Sequence, residues 1–198
     1  MEERTVRRLQ FVAVQFVGAV AVIHFAVGSE QLASIVSNGL LDEYLGGRML
    51  ERPRPVLFVG SSLAILAGLL VAGRGRLERR TAYRLGIAAM ATYLVGWIAW
   101  HTVLDHGFAL AGGPAPGTGE EHSHGGLGAT LYSHYVAPLL ATIGAAGAEG
   151  GSARTLLGVV SVTLELAAAA LLVVLLRVDP EVARDRADAG LSVDAPER

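Results

Sequence analysis

The stretch TLLGVVSVTLELAAAALLVVLL, residues 155–176, decides the class of fold. It has a single ionisable residue, Glu165, among apolar and small side chains. A helix rises ~1.5 Å per residue, so a stretch of this length covers the ~30 Å hydrocarbon core of a bilayer. Three further apolar stretches of similar length occupy residues 9–28, 55–73 and 85–104. The sequence therefore predicts an all-α integral membrane four-helix bundle with antiparallel helices.

Composition agrees with one membrane domain. Hydrophobic residues make up 52% of the 198 residues, which is too apolar and too segmented for a single soluble core. We expect the membrane domain at 1–178 and a disordered cytoplasmic tail at 179–198, where charge is mixed with Ala, Gly and Pro. The absence of cysteine excludes disulfides and thiolate metal sites. A net charge of -2 argues against a nucleic-acid partner and leaves the lipid bilayer as the expected one.

Arginines near the helix ends predict the orientation of the chain. Eleven lie on one side of the bilayer and four on the other, and arginine-rich connections stay in the cytoplasm. We therefore expect a multi-pass protein of the cell membrane with both termini cytoplasmic. Arg52 and Arg54 are a local exception on the outer side. The inner set is Arg4, Arg7, Arg8, Arg74, Arg76, Arg79, Arg80, Arg84, Arg177, Arg184 and Arg186, and the outer set is Arg48, Arg52, Arg54 and Arg154.

Both outer connections contain apolar segments. In the first, apolar residues recur at helical spacing between Leu32 and Leu41, which indicates a short interfacial helix. The second contains an apolar stretch at 127–147, interrupted by His134, Pro138 and several glycines. We interpret it as an interfacial or re-entrant helix. The alternative is a fifth span, which would move the C-terminal tail outside.

Glu165 is the first candidate for a functional residue, because an ionisable side chain in the middle of a span is costly and marks a functional site by default. Gly158, Ser161 and Ala168 share its helix face, which indicates packing against another helix. Glu165 would handle a proton or a ligand. The alternative is a protonated glutamate that bonds to a neighbour such as Gln15 or Tyr93 and only holds helices together.

All six histidines fall on the predicted outer side. His24 and His101 lie at matched depth in the first and third spans, an arrangement that suits a haem or a transition metal. A flexible His-x-His beside two glutamates adds further ligand types, and the alternative for each histidine is an ordinary interface hydrogen bond or a solvated loop. The predicted metal ligands are His24, His101, His106, His122, His124 and His134.

These residues support several functions. We expect an extracytoplasmic histidine-rich site for copper, zinc or haem, with His24, His101 and His106 as ligands and Glu165 tuning the site or relaying protons. The alternatives are a non-catalytic accessory or assembly subunit, docked to a membrane partner or to a second copy, and a small carrier that uses Glu165. No phosphate loop, zinc-protease or serine-hydrolase motif occurs, which favours a protein that is not an enzyme.

In the order of its features the chain resembles small multi-pass membrane proteins of halophilic archaea. The shared features are His24 in the first helix, a second helix that begins at Pro55, an arginine-rich turn, and Trp100-His101-Thr102 before a His- and Gly-rich loop. The resemblance covers most of 9–176 and implies no activity. A four-helix arrangement of this size also resembles the DoxX-like proteins, some of which are associated with quinone-linked redox chemistry, but no motif residue is matched.

Overall fold

The computed structural model describes residues 2–102, 104, 126–142 and 153–184, and the elements in these ranges are helical. Among the described residues, four helices are long and apolar enough to cross a membrane. This confirms the prediction of an all-helical chain with four candidate spans. We label the four long helices α1 (Glu3–Ser37), α2 (Arg54–Gly73), α3 (Arg79–His101) and α4 (Ala153–Val178).

Helix α1 is longer than the apolar stretch that it contains, with 35 residues. It continues past Gly28 to Ser37 and includes the beginning of the expected interfacial helix, because residues 29–37 contain neither proline nor glycine. There the Asn38 side chain donates to the Ser34 carbonyl at 2.7 Å, and Gly39 takes a positive φ of 69°. A left-handed glycine after the last helical turn is a common helix stop.

Two sets of short helical segments lie in the two connections that were predicted to face outward. The first set is Leu41–Glu43, Tyr44–Arg48 and Met49–Glu51. The second set is Gly126–Leu131, Tyr132–Val136 and Ala137–Thr142, within the stretch that was predicted to be interfacial or re-entrant. Tyr135 and Thr163 share a hydrogen bond of 3.0 Å, which places the second set beside α4. Residues 143–147 lie outside the described residues, so the fifth-span alternative stays a prediction.

The long helices pack around α1 and α4. Helix α1 lies along both α2 and α4, and α3 lies along α4, whereas α2 and α3 touch less extensively. The core between them is apolar and includes Val20, Met90, Ala168 and Leu175, all fully buried. Helices α1 and α2 approach most closely at Gly28, where an added Cβ would lie 2.9 Å from the Pro55 carbonyl oxygen.

The predicted disordered tail differs from the structure over its first residues. Asp179 and Val182 are each 1% exposed, and Val182 belongs to the same apolar core as α1, α3 and α4. Sequence composition suggested a solvated tail because charged residues follow α4 at once. The structure instead uses one of them, Asp179, as a buried hydrogen-bond acceptor, and residues 185–198 lie outside the described residues.

Candidate functional site

Glu165 and His24 meet in the interior between α4 and α1. Glu165 is 1% exposed, and its Oε1 lies 2.9 Å from Nε2 of His24. Ser161, one turn earlier on α4, donates its hydroxyl to the same Oε1 at 2.8 Å, and its Oγ lies 3.3 Å from the His24 nitrogen. His24 Nε2, Ser161 Oγ and Glu165 Oε1 therefore form a closed triangle of hydrogen-bonding atoms.

The other two long helices hold the His24 ring. Tyr93 of α3 stacks on the imidazole with ring centroids 4.0 Å apart, and Phe58 of α2 contacts it edge-on at 4.5 Å. The Tyr93 hydroxyl in turn lies 2.7 Å from the Ser61 hydroxyl, which joins α3 to α2. Each long helix thus contributes a polar side chain at this level of an otherwise apolar core. We call this set the polar layer: His24, Ser61, Tyr93, Ser161 and Glu165.

Two buried oxygen atoms in this region have no hydrogen-bond partner among the described residues. One is Oε2 of Glu165, the second oxygen of the carboxyl group. The other is the hydroxyl of Ser62, which is 0% exposed and lies one turn along α2 from Phe58. A buried polar atom without a partner costs free energy, so native structures contain few of them. The polar layer is therefore not saturated.

The structure brings two of the predicted site residues, Glu165 and His24, into contact. Glu165 bonds to His24 and Ser161 rather than to Gln15 or Tyr93. Of the three residues predicted to share the packed face of α4, Ser161 and Ala168 are buried and Gly158 is half-buried. The pairing itself was missed, since it depends on the rotation of two helices, although an acid and a base on two spans were the available signal.

His101 lies in a second group of aromatic residues at the C-terminal end of α3. Its ring centroid is 4.8 Å from that of His134 and 4.6 Å from that of Trp97, and its Nδ1 donates to the Trp97 carbonyl at 2.8 Å. The part of the chain that is described contains no group of three or more His, Cys, Asp or Glu that could hold a metal. His106, His122 and His124 lie outside the described residues, so the metal or haem site stays a prediction.

A second buried carboxylate, which sequence reasoning missed, lies at the opposite end of the helices. Tyr83 donates its hydroxyl to Oδ2 of Asp179 at 2.6 Å, and Gln10 donates to the same oxygen at 3.1 Å. The backbone N–H of Glu181 donates to Oδ1 at 3.0 Å, and Arg79 approaches Oδ2 at 3.5 Å. This end of the helices is the one predicted to face the cytoplasm, so we call this set the inner clasp: Gln10, Arg79, Tyr83, Asp179 and Glu181.

The inner clasp favours the ionised form of Asp179. Burial alone would raise the pKa of this carboxyl group. The hydrogen bonds from Tyr83 and from the Glu181 N–H, together with the positive charge of Arg79, outweigh burial and lower the pKa below its ordinary value. A signal for this cluster was present in the sequence, because Gln10 and Tyr83 are polar residues near the same predicted end of two spans.

Comparison with known proteins gives no assignment: the chain matches no protein-family model, no curated protein and no solved structure.

Proposed function

We propose that this chain is an integral membrane protein whose buried His24–Glu165 pair binds and releases a proton, as the coupling site of a small proton-coupled carrier. The observation on which the proposal rests is the contact of 2.9 Å between the two side chains, with the second glutamate oxygen buried and unpaired among the described residues. An acid and a base in contact inside a membrane domain are suited to proton transfer.

The proposed setting is an antiparallel four-helix bundle with both termini in the cytoplasm. The eleven-to-four distribution of arginines supports this orientation. The outward faces of the long helices support insertion, because large apolar side chains are exposed on each of them, including Phe11, Leu63, Val95 and Leu166. Water-soluble monomers rarely expose apolar surface on every side, whereas a bilayer requires it.

The pair has two forms without net charge, namely imidazole beside a carboxylic acid and imidazolium beside a carboxylate. A proton moves between Nε2 and Oε1 without changing the total charge, so this transfer costs less than the gain or loss of a proton by the pair. Gain or loss of a proton leaves the pair with a net charge, which is costly there. Release therefore requires either a conformation that admits water or the arrival of a compensating ion, which is the requirement for coupled transport.

The competing role is structural: the pair would join α1 to α4 in a non-catalytic accessory subunit. A purely structural bridge stabilises the fold most when every donor and acceptor has a partner, because a buried polar atom without a partner costs free energy. The unpaired Oε2 of Glu165 favours proton handling, since a carboxyl oxygen that is free to gain a proton or a ligand needs unused bonding capacity.

Infrared difference spectroscopy of the purified protein in lipid would test the proposal. The carbonyl stretch of the buried Glu165 carboxyl group should change with pH in the wild-type protein. This component should be missing from the Glu165→Gln variant, which keeps the bands of the other carboxyl groups. The His24→Gln variant, which keeps a hydrogen-bonding side chain, should shift the pH at which the band changes. A band that does not respond to pH over the range in which the protein stays folded would assign the pair to the structural role.

A matched control uses a carboxylate outside the polar layer. Glu181 pairs with Arg79 at the inner end, and its side chain is 53% exposed. The Glu181→Gln variant should therefore leave the carbonyl band of the buried acid and its pH response unchanged. In proteoliposomes that enclose a pH-sensitive dye, proton uptake driven by a membrane potential should be lost in Glu165→Gln and retained in Glu181→Gln.

A further inference from the structure

Arg54, the first residue of α2, has an unusual environment for a charged side chain. Its guanidinium carbon lies 5.0 Å from the centre of the Phe58 ring and 5.3 Å from the centre of the Trp100 ring. The side chain is only partly exposed. A guanidinium that lies on aromatic faces is held by cation–π attraction, which uses the flat face of the group.

The edge of the guanidinium has no partner within the ranges that the structure describes. Among the described residues, the ion pairs and side-chain hydrogen bonds of arginines involve Arg7, Arg48 and Arg79, not Arg54. Its nitrogen atoms are not among the buried polar atoms that lack a partner, so they are accessible at the surface of the described residues. Five N–H donors in one plane, fixed in direction by two rings and open at the edge, match the geometry of a bound oxyanion.

The predicted topology supplies a second argument. It is one of the four arginines on the predicted outer side, where the charge distribution of membrane proteins disfavours them. A positive charge retained on that side needs a reason other than topology. A negatively charged ligand would supply one, because it neutralises the guanidinium where the apolar segment begins.

We propose that Arg54 binds an oxyanion, with Phe58 and Trp100 fixing the guanidinium and its free edge donating to two ligand oxygens. The chemistry is that of a phosphate group, supplied by an anionic lipid headgroup or by a soluble phosphate. This site does not depend on the protonation of Glu165. Phe58 nevertheless contacts both Arg54 and His24, so the occupied site lies next to the polar layer.

The fluorescence of Trp100 provides a local readout, because the chain has only two tryptophans. In a Trp97→Phe background, Trp100 reports on the ring that lies against Arg54. The protein would be placed in nanodiscs of phosphatidylcholine and titrated with inorganic phosphate at constant ionic strength, and also in nanodiscs that contain phosphatidylglycerol. We expect a change in Trp100 emission that saturates in one of these arms.

Three variants decide the result. Arg54→Gln should weaken binding by about tenfold or more, since hydrogen bonds to a charged group are lost. Arg54→Lys should restore only part of it, because an ammonium neither stacks nor donates as a planar fork. Arg52→Gln removes an exposed arginine nearby and should leave binding unchanged. Helicity measured by circular dichroism would verify that each variant is folded.

The two arms distinguish the source of the ligand. Saturation by inorganic phosphate in phosphatidylcholine indicates a soluble oxyanion, and a response only to phosphatidylglycerol indicates a lipid headgroup. The proposal is overturned if neither arm changes the emission of Trp100. It is also overturned if Arg54→Gln and Arg52→Gln respond in the same way as the parent protein.

Discussion

Glu165 and Asp179 are both carboxylates that are 1% exposed, yet their surroundings differ in one respect. Both oxygens of Asp179 accept hydrogen bonds, and Arg79 supplies a positive charge nearby. Only one oxygen of Glu165 is bonded, to a base and a hydroxyl, and the other has no partner among the described residues. The bonds to Asp179 favour its ionised form, whereas the second oxygen of Glu165 keeps unused capacity to bond a proton or a ligand.

Under the proposed function, this difference separates the residues that stabilise the fold from those that bind the proton. The inner clasp joins α1, α3 and the residues that follow α4, so it holds three parts of the molecule together at one end. The polar layer joins all four long helices but leaves bonding capacity unused. We therefore expect substitutions in the inner clasp to change mainly the free energy of unfolding, and substitutions at Glu165 to change mainly proton binding.

The largest expected effect on stability comes from removing the negative charge of Asp179 in the inner clasp. Asp179→Asn leaves the Tyr83 hydroxyl and the Gln10 amide opposite a group that also donates, and buried donors without acceptors are costly. We expect a loss of about 3 kcal/mol in the free energy of unfolding, by analogy with other broken buried pairs. Glu165→Gln keeps an acceptor for Ser161 and should cost about 1 kcal/mol.

Denaturant unfolding in detergent micelles, followed by helicity, would measure both variants. Glu181→Gln serves as the control for the inner clasp, because it removes only the exposed ion pair with Arg79, which is worth less than about 1 kcal/mol. Equal losses for Asp179→Asn and Glu165→Gln would remove the distinction between the two acids.

Lowering the pH should also weaken the inner clasp. We expect the loss in the free energy of unfolding to be smaller than the loss caused by Asp179→Asn. The pKa of Asp179 is lower in the folded protein than its ordinary value of 3.8, because the bonds to Tyr83 and Glu181 and the charge of Arg79 together outweigh the effect of burial. Its contribution to stability is therefore complete above about pH 3.8 and is lost as the pH falls through the lower, folded value. Unfolding measured against pH should show this loss in the wild-type protein and not in Asp179→Asn.

The sequence was sufficient for the helices and insufficient for their contacts. Four long apolar stretches identify spans because hydrophobic length is a property of each segment alone. The small face of α4 was also predictable, since helical periodicity groups Ser161 and Ala168 with Glu165. The contact between Glu165 and His24 requires the rotation of α1 against α4, which depends on the packing of many side chains. Asp179 was assigned to a tail because composition cannot distinguish a buried acid from a solvated one.

A third effect concerns the approach of α1 to α2 beside the polar layer. In Gly28→Ala the new Cβ would lie 2.9 Å from both the Pro55 carbonyl oxygen and the Phe58 Cβ, so the helices must separate. We expect a loss of about 2 kcal/mol, as for other overpacked sites. Gly18→Ala, on the same helix, meets nothing within 4 Å and should gain up to about 1 kcal/mol from helix propensity. The same unfolding measurement compares the two, and a neutral Gly28→Ala would contradict the close approach.

The smallest expected effect on stability is at Ser62, and its sign is informative. Its hydroxyl is buried without a partner among the described residues, so Ser62→Ala should leave the free energy of unfolding unchanged or raise it by up to about 1 kcal/mol. A hydroxyl without a partner in this conformation is available to form a bond in another one. If proton binding uses Ser62, the alanine variant will unfold no more easily than the wild-type protein and will still lose proton uptake in proteoliposomes. If uptake is unchanged, the unsaturated region is confined to Glu165.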